Sequence, residues 1–258
     1  MLVPKKNLRE GFMTDARNRP PVAVIIGAGD ATGSAIAKRF SRGGYAIVAT
    51  RRNVDALQPL REEIKAEGGV AHTLGCDARK EEAMVELFEH IERDIGPVEI
   101  VVFNIGANVM FSIVETTARV YQKVWEMAAF AGFLTGREAA KVMLPRNKGT
   151  IIFTGATASL RGGSGFSAFA SAKFALRALA QSMARELGPQ GIHVAHSIID
   201  GAIDTAFIKD NFPDKYAAKA QAGILDPEHI AEQYWQIHCQ PKDCWTHEFD
   251  LRPWQETF

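Results

Sequence analysis

Between the β-branched run Val22–Ile26 and the helically spaced residues 34–40 lies Gly27-Ala28-Gly29-Asp30-Ala31-Thr32-Gly33, a segment of small side chains. Such a loop suits one kind of chemistry. With little side-chain bulk in the way, backbone N–H groups and the N-terminus of the following helix can approach a pyrophosphate closely. A glycine pattern alone is a weak signal, and its place after the first strand of a strand–helix–strand unit is what strengthens it. Gly27, Gly29, Asp30, Ala31, Thr32 and Gly33 are therefore candidate nucleotide-binding residues.

Dinucleotide folds that take NAD place an acid about 20 residues further on, where it holds the ribose 2′-hydroxyl. No Asp or Glu occurs between Ala31 and Val54. The second β-branched run ends instead in Thr50-Arg51-Arg52, and a guanidinium pairs well with a 2′-phosphate. This spacing favours NADP(H) over NAD(H), with Arg51 and Arg52 as the contacts. Asp30 stands against it as a negative charge in the same loop, and two arginines at a strand end also fit an ordinary solvated surface.

His238-Cys239 and Cys244-x-x-His247 bring two thiols and two imidazoles close together in sequence. The spacing matches no common zinc site, so no metal is expected. His193 and His196, three apart on a strand, face opposite sides and make a poor ligand pair.

The elements that must position these residues follow from periodicity. Short β-branched runs at 22–26, 46–50, 70–75, 98–103, 150–154, 193–198 and 245–250 alternate with amphipathic stretches at 33–42, 54–67, 80–94, 119–143, 168–187 and 227–239. Continuous apolar strands between helices predict an α/β fold, a doubly wound parallel sheet of Rossmann type with helices on both faces. Residues 204–225 are less regular and are expected to form a lid. The chain of 258 residues reads as one domain over 21–258, preceded by a loose arm over 1–20. Met13 fits a natural start as well as Met1 does, and Glu10 and Asp15 argue against a transit peptide.

Thirty basic side chains balance thirty acidic ones, leaving no net field to gather nucleic acid or an anionic membrane. Three cysteines form no disulfide framework, and no apolar run reaches the roughly 18 residues of a membrane span. The expectation is a cytoplasmic protein with a small-molecule ligand.

With Ala31 in place of a middle glycine, Gly27 and Gly33 resemble the fingerprint of the short-chain dehydrogenase/reductase family. Further matches follow in order. Asp77-Ala78 after the third strand resembles the family's adenine contact, and Asn104-Ile105-Gly106 its Asn-Ala-Gly. Gly201 with Thr205 resembles the Pro-Gly segment and the later Thr that meets the nicotinamide carboxamide, although Asp200 replaces the Pro. The family's reactive groups are a Tyr with a Lys one helical turn later, a Ser that polarises the substrate oxygen and an Asn that holds a relay water. Lys173 matches the Lys. Phe169, Ala156 and Ala129 stand where the Tyr, Ser and Asn belong.

The resemblance spans about residues 22–250. It implies an NADP(H)-dependent oxidoreductase acting on a carbonyl or alcohol through an altered site, as a homodimer or homotetramer. The alternative is a nucleotide-binding or scaffold protein that kept the fold and lost the chemistry. Lys173 is expected to hold the nicotinamide ribose, and would serve as a catalytic acid if burial depressed its pKa. Thr157, one residue beyond Ala156, either orients the substrate oxygen or only satisfies loop backbone. Ser167 and Ser171 lie about 200° around the helix from Phe169 and face elsewhere.

Overall fold

In the computed structural model, which describes residues 19–257, the β-branched runs become seven strands. They are β1 Val22–Ile26, β2 Ala46–Arg51, β3 Ala71–Gly75, β4 Val98–Phe103, β5 Gly149–Thr154, β6 Ile192–Ile199 and β7 Glu248–Leu251. All pair in parallel, in the order β3-β2-β1-β4-β5-β6-β7. The helices are α1 Thr32–Arg42, α2 Gln58–Ala66, α3 Glu81–His90, α4 Ala118–Trp125, α5 Ala131–Met143, α6 Ser167–Leu187, α7 Ala206–Asn211, α8 Pro213–Ala217 and α9 Pro227–His238. The doubly wound fold expected from periodicity is the fold observed.

Alternation along each strand sorts the core into two layers. Val22, Val24 and Ile26 of β1 join Phe88 of α3, Leu134 of α5 and Leu176 of α6 on one face, while Ala23 and Ile25 join Ile36 of α1, Ile64 of α2 and Tyr234 of α9 on the other. Local signals fix where helices begin. Asp226 accepts a bond from the Glu228 amide at 2.8 Å and Pro227 opens α9, while Thr117 accepts from Val120 N at 3.2 Å before α4.

Several expected boundaries shift for physical reasons. The long helix expected over 119–143 is two helices joined by a π-helical turn, Glu126–Phe130, and α3 likewise runs into a π turn, Ile91–Ile95. The last strand starts at Glu248, three residues late, because Trp245 stacks on His193 at 4.8 Å and Thr246 N donates to the Gln240 side chain at 2.7 Å. Residues 204–225 contain α7, α8 and a 3-10 turn, and their ends are tied where Ile203 bridges Leu225. The first eighteen residues of the expected arm lie outside the described residues, whereas Arg19 donates to the Arg93 carbonyl at 2.7 Å. Among the described residues no helix is long and apolar enough to cross a membrane.

Candidate active site

Crossovers run in opposite directions on either side of β1 and β4, which opens a crevice at the strands' carboxyl ends. A cleft of about 750 Å³ occupies it. The glycine loop forms one wall, and close approach dictates its composition. Gly27 has φ of 86°, and a Cβ there would stand 2.8 Å from the Ile105 side chain. A Cβ on Gly33 would meet Gly27 O at 2.8 Å and Ala28 Cα at 2.7 Å. Gly29 and Gly106 face open space instead, with nothing within 4 Å of a Cβ. That opening is room for a pyrophosphate. Ala31 places no side-chain cap on α1, and Ser34 N donates to Gly29 O at 2.9 Å, so only the amides of Thr32 and Gly33 at this helix start could turn to an anion.

A second hollow of about 290 Å³ continues past Gly29 and Asn104 to Arg51, Arg52, Asp77 and Ala78. Arg51 donates to Asp30 Oδ1 at 2.7 Å. Arg52 is exposed and has no hydrogen-bond or ion-pair partner among the described residues. Arg79 grips the Asp77 carboxylate through two bonds of 2.8 and 2.6 Å, and holds its pKa down to about 2. Asn104 is fixed by its own amide, which donates to Gly27 O at 3.2 Å.

At the other end of the cleft α6 delivers Phe169 and Lys173, one helical turn apart. Lys173 is 2% exposed, and its ammonium donates to Thr154 O at 2.8 Å and Ile105 O at 3.4 Å and lies 5.9 Å from the centre of the Phe169 ring. Burial pulls its pKa down to about 8. Two of three N–H groups are thus engaged, leaving one for a ligand. Thr157 lines the same cleft, and its hydroxyl donates to Asp200 Oδ1 at 2.5 Å. Asp200 is itself buried, with Oδ2 3.3 Å from Arg252 Nη1. The Thr157 proton is committed, so Thr157 Oγ1 offers a ligand only acceptor capacity.

Beneath the cleft lies a polar layer. A Cβ on Gly155 would stand 2.4 Å from His196 Nε2, an atom without a hydrogen-bond partner among the described residues. The other ring nitrogen meets Glu248 at 3.2 Å, and Arg177 of α6 binds the same carboxylate at 2.7 and 2.6 Å. Burial pulls the His196 imidazole down to about 4, so it is neutral at physiological pH.

The model of the short chain dehydrogenase family matches residues 21–216. This chain belongs to the short-chain dehydrogenases. A short-chain dehydrogenase/reductase of Hericium erinaceus is 31% identical over 220 residues, covering 81% of this chain and 87% of that protein. Among solved structures, a short-chain dehydrogenase from Rhodopseudomonas palustris is 48% identical with a TM-score of 0.79, over 91% of this chain and 99% of that one. An alcohol dehydrogenase from the archaeon Thermococcus sibiricus, complexed with 5-hydroxy-NADP, is 26% identical with a TM-score of 0.81, over 92% and 98% of the two chains. As a short-chain dehydrogenase the protein is of an oxidoreductase family that uses nicotinamide cofactors and acts on small molecules.

Most of the residues expected to bind a dinucleotide line one of the two joined hollows of this short-chain dehydrogenase. Gly27, Gly29, Asp30, Ala31, Thr32, Gly33, Asn104, Ile105, Gly106, Thr157, Lys173 and Gly201 line the larger. Arg51, Arg52, Asp77 and Ala78 line the smaller. Thr205 lines neither; it sits in an adjoining hollow with Asp30 and Ala31, where its hydroxyl accepts from Ile208 N at 3.1 Å and caps α7. Ser167 and Ser171 stay out of the cleft, and Ser171 donates to Ala168 O. Arg161, Phe166 and Asn108 also line the larger hollow, and sequence reasoning missed them because they lie on loops without periodicity. His238 of the cysteine–histidine stretch is held by hydroxyls, Tyr45 at 2.8 Å and Thr150 at 2.9 Å.

Proposed function

We propose that the protein is an NADP(H)-dependent oxidoreductase that acts on a carbonyl or alcohol through a constellation lacking the family's Tyr, Ser and Asn. The observation that carries this reading is the position of the buried Lys173, in one cleft with Gly27, Gly29 and Gly33 of the glycine loop and with the apolar side chains of Ala156, Phe166, Phe169 and Ile203. The open cradle at Gly29 and Gly106 and the uncapped N-terminus of α1 fit a dinucleotide's pyrophosphate, and the arginines beyond them fit a 2′-phosphate. The complex of the related archaeal alcohol dehydrogenase with an NADP derivative supports the same preference. When bound, the reduced nicotinamide supplies the hydride.

The chain's own part is to position and to handle a proton. Lys173 keeps one N–H for the nicotinamide ribose or the substrate oxygen. With a pKa near 8 it holds and releases a proton around neutral pH, as an acid must. Thr157 accepts a hydrogen bond from a substrate hydroxyl and fixes its direction. Phe169 shapes the apolar wall and cannot exchange protons.

The same absences favour a second reading, a nucleotide-binding protein without turnover. Phe169, Ala156 and Ala129 present no polar side-chain atom where the family's chemistry needs three. Calorimetric titration with NADPH and NADH, followed by hydride-transfer assays over a panel of carbonyls and alcohols, separates the two. Tight NADPH binding with turnover supports the oxidoreductase. Binding without turnover, with NADPH oxidation rising at least about 10²-fold above background in Phe169→Tyr/Ala156→Ser, supports the second reading.

A further inference from the structure

We infer that Asp30 is a specificity-determining residue. By holding Arg51, it weakens the cleft's preference for nucleotides that carry a 2′-phosphate over those with a free 2′-hydroxyl. The inference rests on the nucleotide reading above.

Three observations lead to it. First, the Arg51 guanidinium at the end of β2 is not free: its Nη1 is 2.7 Å from Asp30 Oδ1, and the two side chains bridge from the strand end to the glycine loop. Second, Asp30 stands just before α1, where the helix's positive end favours a negative charge. Third, Arg52 lines a hollow with Arg51 and makes no hydrogen bond or ion pair among the described residues, acting on the Asp77 carboxylate, already held by Arg79, only at a distance.

Charge arithmetic gives the consequence. Arg51 and Arg52 would present two positive charges to a 2′-phosphate, but Asp30 reduces the trio to one. A phosphate monoester of about −1.5 to −2 charge must then share Arg51 with a carboxylate. A ribose hydroxyl meets no such competition. Asp30 Oδ2, which Arg51 leaves open, can accept a hydrogen bond from it, the service an acid at the end of β2 renders in NAD-binding folds. Asp30 therefore acts twice against discrimination, once through Arg51 and once directly. Its side chain is 81% exposed, so the effect is that of a surface charge, modest and reduced by salt.

The test needs neither a substrate nor turnover. ADP-ribose and 2′-phospho-ADP-ribose are titrated by calorimetry at low ionic strength into the full chain and into Asp30→Asn, Asp30→Ser and Arg52→Met. Removing the Asp30 charge is expected to tighten 2′-phospho-ADP-ribose by about two- to fivefold while ADP-ribose stays equal or weakens. Arg52→Met is expected to lose about tenfold for the phosphorylated probe alone. An unchanged or reduced ratio of the two affinities in both Asp30 variants overturns the inference and leaves the nucleotide site standing. Failure of the wild-type protein to bind either probe is a different result, overturning the nucleotide reading and the inference with it.

Discussion

Lys173 carries its ammonium into a pocket that offers two carbonyl oxygens and an aromatic ring. Unfolded, the amine is protonated below its ordinary value of 10.5; folded, it is protonated only below about 8. Between those values the unfolded chain binds more protons, so stability rises as pH increases from about 8 to 10.5, by about 3 kcal/mol at most. Below pH 8 the buried charge is a standing cost. Lys173→Met should therefore melt higher than the wild type at pH 7, with the gap closing toward pH 10. The same variant should bind NADPH about tenfold more weakly, through loss of a charge-assisted hydrogen bond. A lower melting temperature at pH 7 would show that the carbonyls stabilise the ammonium more than burial opposes it. The sequence alone places Lys173 one turn after Phe169, but not the depth of its burial, which depends on β4 and β5 closing over it. Nor does it show that the Thr157 hydroxyl donates its hydrogen bond to Asp200, because 43 residues separate the two.

The glycine loop and α1 behave as one element, and their glycines have separable duties. Gly33 is enclosed by backbone, which cannot yield, so Gly33→Ala should cost about 1–3 kcal/mol of stability. Gly29 faces open space, so Gly29→Ala should leave stability within about 0.5 kcal/mol yet weaken nucleotide binding, because its methyl enters the cradle. Denaturant melts and calorimetry on both variants check this, and equal destabilisation would show that the loop serves only the fold. This element was legible in the sequence because strand, loop and helix are contiguous. The layer of His196, Glu248 and Arg177 was not, since its members come from β6, β7 and α6 and meet only when the sheet forms. The π turn Glu126–Phe130 is equally hidden, because it sits inside one amphipathic stretch with no Gly or Pro between residues 119 and 131 to mark it.

For the whole molecule, the neutral charge balance sets no long-range field, and association must rest on particular surfaces. Tyr121, Trp125, Phe133 and Phe174 are exposed on α4, α5 and α6, and Trp125, Phe130 and Phe133 stack at 6.0 and 6.2 Å. The expected homodimer or homotetramer would cover this face. Sedimentation should detect it, and Trp125→Glu with Phe133→Glu should yield monomer; an unaltered sedimentation coefficient would place the interface elsewhere. Between α4 and α5, the turn Glu126–Phe130 lets one continuous rod serve two layers, with Val124 packed beside Phe169 and Leu134 in the sheet core. A joint with i→i+5 bonds is wound differently from the α-helix on either side. In deuterium, the rod should therefore exchange as two slow segments around a faster seam at residues 126–130, and Met127 of that seam lines the smaller hollow, where a bound ligand should slow it.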